Sequence, residues 1–164
     1  MKPKILFILH LPPPIHGAAM MGKYIQESEL VNSSFDCFCI NLATAGSLSD
    51  IGHISLKKLL KYFFLLKHIS HVVREIRPEL VYITPNAGGK AFFKDFIVVQ
   101  MLKSMGCKVI AHYHNKGVSV YQSKWVYNFF YKRFFSNLKV ILLAENLYKD
   151  IAKYVKREDV YICP

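Results

Sequence analysis

Lys4-Ile5-Leu6-Phe7-Ile8-Leu9 runs into His10-Leu11-Pro12-Pro13-Pro14-Ile15 and then into His16-Gly17-Ala18-Ala19. The first six residues are a near-continuous apolar run of strand length, the pattern of a strand covered on both faces. Three prolines follow; each fixes its own φ and keeps the residue before it extended, so the loop is stiff. His16-Gly17 and small residues then open a helix, and Gly17 removes a Cβ where backbone N–H groups can meet a ligand closely. In an open parallel sheet, ligands bind beyond the carboxyl ends of the strands. The loop therefore reads as ligand-facing.

It does not read as a dinucleotide or nucleoside triphosphate loop. A dinucleotide fold needs G-x-G-x-x-G after its first strand and an acidic residue closing the second. Here only Gly17 and Gly22 are present, and the second strand, expected at 35–41, ends in Asn41. No G-x-x-x-x-G-K-[ST] occurs, and Gly88-Gly89-Lys90 is followed by Ala91.

Outward from this stretch the pattern alternates strand and helix. Strands are expected at 4–10, 35–41, 80–84, 108–113, 139–143 and 159–163. A helix is expected at 18–29, a long one at 56–76 stopped by Arg77-Pro78, and another at 90–105 closed by Gly106. Val81-Tyr82-Ile83 and Val109-Ile110-Ala111 are again continuous apolar runs. The expected fold is α/β: a Rossmann-like, doubly wound parallel sheet of about six strands with helices on both faces. The 164 residues are read as a single domain with a full-sized core. The one long irregular segment, 42–54, is rich in Gly and Ser and of a length commonly tied to function.

Hydrophobic content of 52% excludes disorder, yet no apolar segment reaches membrane-spanning length and no cleavable leader is read at the start. The four cysteines, Cys37, Cys39, Cys107 and Cys163, show no zinc spacing and are expected as buried free thiols in a cytosolic protein. A net charge of +11 accompanies 14% aromatic residues, a balance that implies an anionic partner. On the 56–76 helix, Leu56, Leu59, Leu60, Phe63, Leu66 and Val73 form the expected core stripe, with Lys57, Lys61, His68 and His71 opposite and Phe64 among them. Around residues 125–135, a polar line of Lys124, Asn128 and Lys132 leaves aromatics over most of a helix. Basic aromatic helices outside a covered sheet favour an anionic membrane surface over nucleic acid, whose bases stack on exposed sheet faces or grooves.

His112-Tyr113-His114-Asn115 ends the fourth strand. In a 3-2-1-4 strand order it would rise beside the His16-Gly17 loop at the switch point. His112 and His114 share a face because strand side chains repeat every second position. His112, deeper in the strand, suits a structural role, and His114 at the exit suits a functional one. No carboxylate accompanies them in sequence, which weighs against a metal site.

Four segments together resemble the N-terminal half of a GT-B glycosyltransferase of family 4: KILFILHLPPPIHGAAMMGKYI, GKAFFKD at 89–95, VIAHYHNKGV at 109–118, and the terminal VYICP. PPPIHGAA and HYHN are the most specific. The resemblance implies an acceptor-binding Rossmann-like domain, with the donor-binding domain absent from this chain and the chain alone inactive. The implied reaction is retaining transfer of a sugar from a nucleotide-sugar to a lipid-linked glycan acceptor in surface polysaccharide synthesis, without metal or cofactor. It gives His114 the catalytic role, stabilising charge that develops in the transition state. Pro14, His16, Gly17, Ala18, Asn86, Gly89, His112 and Asn115 would line the substrate cleft. Asp95 is structural or acceptor-side, and Glu145 and Glu158 do not replace the family's paired glutamates. Lys57, Lys61, Phe64, Trp125, Lys132 and Arg133 would form a membrane and acceptor surface at the inner face of the cytoplasmic membrane. An open interdomain face could also self-associate. Alternatives from other classes are a non-catalytic membrane- or partner-binding domain, a nucleic-acid module supported by charge alone, and a metal hydrolase built on His16, His112 and His114.

Overall fold

The short apolar runs become strands, and the residues between them become helices. A computed structural model of the chain describes residues 2–13, 15, 17–42 and 56–163, apart from the side chain of Lys57. The strands are β1 (Lys4–Leu9), β2 (Asp36–Asn41), β3 (Leu80–Ile83), β4 (Val109–Tyr113), β5 (Lys139–Leu142) and β6 (Val160–Ile162). They form one parallel, helix-flanked sheet in the order β2-β1-β3-β4-β5-β6, a Rossmann-like α/β arrangement. The expected neighbour relation is corrected, because β3 stands between β1 and β4. Apolar periodicity shows that a strand exists and does not say on which side a crossover returns.

By compactness the chain divides into two units, Met1–Tyr82 and Ile83–Pro164. In the first, β1 pairs with β2 from Lys4 opposite Asp36 to Leu9 opposite Asn41. Ile5 through Leu9 are buried. Helix α1 (Gly17–Glu27) crosses the exit of β1 so closely that a Cβ on Gly22 would lie 2.2 Å from the His10 carbonyl oxygen. Gly22 is therefore required for helix-on-strand packing. A short helix not anticipated from the sequence, α2 (Glu29–Ser34), begins where the Ser28 hydroxyl accepts from the Val31 N–H at 3.3 Å. Helix α3 (Leu56–Ile76) stops at Pro78 as expected, with Arg77 at φ 49° and its N–H on the Val73 carbonyl at 3.0 Å.

The covered face of α3 differs from the expected stripe. Tyr62, Ile69 and Val73 are buried, while Leu56, Leu59, Leu60 and Phe63 are exposed. Of the expected stripe only Val73 is buried. The cysteine expectation is also corrected: Cys37, Cys39 and Cys107 are half-buried and Cys163 is exposed, all as free thiols.

In the second unit, helix α4 (Gly89–Ser104) ends in a two-bond turn at Gly106, φ 78°. The Gly106 N–H donates to the Lys103 carbonyl and the Cys107 N–H to the Leu102 carbonyl, both at 3.0 Å. The short helix α5 (Val118–Tyr121) leads to α6 (Trp125–Phe135), whose Tyr131, Phe134 and Phe135 are buried. Phe92 of α4 sits 4.6 Å from Tyr131 and 5.5 Å from Phe134, ring centre to ring centre. Phe130 meets Phe93 and Phe96 edge to face at 5.3 and 4.8 Å. The Lys103 ammonium donates to the carbonyls of Arg133, Phe134 and Ser136, at 3.1, 2.6 and 2.6 Å, closing the C-terminus of α6. Helix α7 (Tyr148–Ile151) precedes β6.

Candidate functional site at the exits of β3 and β4

Strand β4 is apolar up to Ala111 and then delivers His112, Tyr113 and His114 to its carboxyl end. The two histidines do share a face: their rings lie 4.2 Å apart, tilted by 36°. His112 is buried and His114 half-buried. Burial pushes His112 down to about 4, with the neighbouring His114 adding to the effect. Burial also lowers His114. Both are thus neutral at pH 7, and a neutral imidazole offers one donor and one acceptor. Both ring nitrogens of His114 are shielded and, among the described residues, have no hydrogen-bond partner. An imidazole in this state can donate to an oxygen that gains charge or accept the proton of a hydroxyl. Tyr113 points to the other face, and burial raises its hydroxyl well above the usual value.

Two carboxylates hold the loops around this pair. After β3 the chain runs Thr84-Pro85-Asn86-Ala87-Gly88, and Asp95 Oδ2 accepts both the backbone N–H and the side-chain N–H of Asn86 at 2.7 Å each. Asp95 is 2% exposed. Burial raises its carboxyl to about 6, and the Asn86 bonds oppose that rise. Tyr131 donates its hydroxyl to the Ala87 carbonyl at 2.5 Å. A Cβ on Gly88 would overlap the Tyr121 ring, and Gly89 sits at φ 68°, where a side chain is strained. The loop after β4 is tied from the far side. The Asp150 carboxylate accepts from the N–H groups of Gly117, Val118 and Ser119 at 2.8, 3.0 and 3.0 Å and from the Ser119 hydroxyl. Burial alone would raise Asp150, but the Ser119 hydroxyl and these N–H groups outweigh it and hold the carboxyl below the usual range. The start of α5, where an anionic ligand could have been held, is thus filled by the protein's own carboxylate.

The sequence-derived site residues fall into separate groups. Asn86, Gly89, His112, His114 and Asn115 all lie on the loops and strand end just described, with Asn115 exposed beyond His114. The side-chain amide of Asn86 donates one of its N–H groups to Asp95. Gly17 and Ala18 open α1 in the first unit; Gly17 is exposed, and among the described residues a Cβ there would meet nothing within 4 Å. Pro14 and His16 lie outside the described residues, as do residues 43–55, which hold most of the long irregular segment. Lys61 and Phe64 are exposed on α3, and Trp125, Lys132 and Arg133 on α6. The Arg133 guanidinium lies over the Phe129 ring at 4.8 Å.

Sequence reading missed the clamp by Asp150 and left Asp95 open between two roles. Asp95 did carry a signal: it falls in line with Phe92, Val98, Val99 and Leu102, the buried stripe of α4. An acid on an apolar stripe needs a partner. Asp150 carried none, since its partners stand about thirty residues away.

An open cavity of about 420 Å³ lies at the amino ends of β1 and β2, lined by Lys2, Lys4, Asn32, Phe35, Asp36 and Cys37. Ligands of open α/β sheets bind at the opposite ends of the strands, and no catalytic pair lines this cavity. Among the described residues no group of three His, Cys, Asp or Glu side chains could hold a metal ion, and no helix is long and apolar enough to cross a membrane. Comparison with family models, with curated proteins and with solved structures returns no match.

Proposed function

We propose that this chain is the acceptor-binding half of a GT-B, family 4-like retaining glycosyltransferase, acting at the inner face of the cytoplasmic membrane in surface polysaccharide synthesis. Its substrates would be a nucleotide-sugar and a lipid-linked glycan acceptor. In that reaction the bond from the sugar's anomeric carbon to the nucleoside diphosphate breaks and a bond to an acceptor hydroxyl oxygen forms. The hydroxyl proton leaves with the diphosphate. The observation that carries the reading is His114: a neutral, half-buried imidazole with no hydrogen-bond partner among the described residues, in the HYHN segment on which the resemblance most depends. Its N–H would stabilise charge as it develops, and Asn86 and Asn115 would bind acceptor hydroxyls. Asp95 and Asp150 are positioning residues that hold the two loops.

The donor half must be supplied on the same polypeptide or a separate one. The test is transfer of label from a panel of nucleotide-sugars to a polyprenyl-diphosphate-linked acceptor with both halves present. His114→Ala is expected to lower kcat by about a hundredfold or more while leaving the acceptor KM within a few fold. Turnover unchanged by this substitution would remove the assigned role.

A further inference from the structure

Leu56, Leu59, Leu60, Phe63 and Phe64 occupy the first half of α3 and are 74, 59, 52, 50 and 64% exposed. At 100° per residue they fall within an arc of about 140°, one continuous face. The covered residues, Tyr62, Ile69 and Val73, lie on a different side of the helix. Five large apolar side chains on one uncovered face exceed the scattered exposure expected of a solvated surface.

The charges around this face have one sign. Lys61 and Lys67 flank or interrupt it, and the Lys67 ammonium lies 4.8 Å over the Phe63 ring. The helix has no acidic residue before Glu75, in its last turn. A second copy of the chain would bring the same positive charge against itself. Nucleic acid would be met by exposed leucines that offer nothing to stack on bases. An anionic lipid surface satisfies both halves of the pattern: acyl chains accept the Leu and Phe side chains, and lysines reach up to the headgroups.

We infer that the first half of α3 is the element that docks this protein on an anionic bilayer, lying in the interface with Leu56, Leu59, Leu60, Phe63 and Phe64 inserted. The inference deepens the membrane-facing part of the proposed function, and sugar transfer does not enter its test.

The experiment is co-sedimentation with vesicles of phosphatidylcholine alone and of equal parts phosphatidylcholine and phosphatidylglycerol. The protein is expected to bind the anionic vesicles and not the neutral ones. Leu60→Ser combined with Phe63→Ser should weaken that binding at least about tenfold. Ile97→Ser on α4 should leave it within about twofold, as expected for a scattered exposed residue. Lys61→Glu with Lys67→Glu gives a second reading that leaves the apolar face in place, and it too should weaken binding to anionic vesicles. Thermal unfolding of each variant confirms that it folds. If Trp125→Ser abolishes binding while the α3 variants keep it, the contact belongs to α6 and the inference fails. Equal binding to both vesicle types, or displacement by oligonucleotide in place of lipid, also overturns it. If the protein binds neither vesicle, the membrane placement falls with it, and the sugar-transfer reading stands or falls on the His114 assay.

Discussion

Helices α3 and α6 look alike in sequence, both basic and both carrying more apolar side chains than one core stripe needs, yet they use that excess differently. In α6 most of the aromatics are covered. Tyr131, Phe134 and Phe135 are buried, Phe130 is wedged against Phe93 and Phe96, and Lys103 closes the helix end. Even the expected polar line is partly internal, since Asn128 accepts the Tyr154 hydroxyl at 2.9 Å. In α3 the first half leaves Leu56, Leu59, Leu60, Phe63 and Phe64 exposed, and among the described residues of the helix only Tyr62, Ile69 and Val73 are buried. The same composition therefore packs the interior in one helix and leaves an exposed apolar face in the other. What decides is the element opposite: α6 has the phenylalanines of α4 to meet.

The largest effect that would sharpen this contrast comes from truncating the aromatic cluster. Phe92→Ala should cost about 3–5 kcal/mol in urea unfolding, because a fully buried ring is lost among several others. A cost below about 1 kcal/mol would mean the cluster is loosely covered.

Next in size is a pair of opposed pH effects at the β3 and β4 exits. Asp95 is raised to about 6, so the folded protein holds a proton that the unfolded chain releases, and stability falls as pH rises through that window. His112 is lowered to about 4, so the unfolded chain takes up a proton that the folded protein refuses, and stability rises with pH over nearly the same window. The two act in opposite directions, so each masks part of the other's pH dependence. Asp95→Asn should therefore expose a steep loss of stability on acidification below about pH 6.5 in urea titrations, the ordinary histidine range. His112→Gln should expose the opposite slope. Flat profiles in both variants would contradict the burial of these groups.

The strand-and-helix alternation was legible to within a residue or two, because continuous apolar runs, Gly106 and Arg77-Pro78 act locally. The sheet order was not legible, since nothing within β3 tells it to stand between β1 and β4. Nor was the face of α3. Leu59, Leu60, Tyr62, Phe63, Phe64, Leu65 and Leu66 surround the helix almost completely, so periodicity has no contrast from which to choose a side. Of the candidate site, the histidine pair was legible from its spacing on a strand end. The carboxylates that set its loops act across 9 residues for Asp95 and 33 for Asp150, beyond the reach of local pattern.

The smallest stability effect is expected on α3. Leu59→Ser and Leu60→Ser should each change stability by no more than about 0.5 kcal/mol, as exposed positions do. Losses approaching that of Phe92→Ala would erase the difference between the two helices.

The most direct measurement uses the single tryptophan, Trp125. In a Trp125→Phe background, Phe63→Trp and Phe130→Trp place the same fluorophore on α3 and on α6. In buffer, the residue-63 emission should be red and readily quenched by acrylamide, and the residue-130 emission blue and protected. Anionic vesicles should then shift the residue-63 emission to the blue and leave residue 130 unmoved. A residue-63 emission already blue and protected in buffer would show that α3 is covered, and would contradict the account.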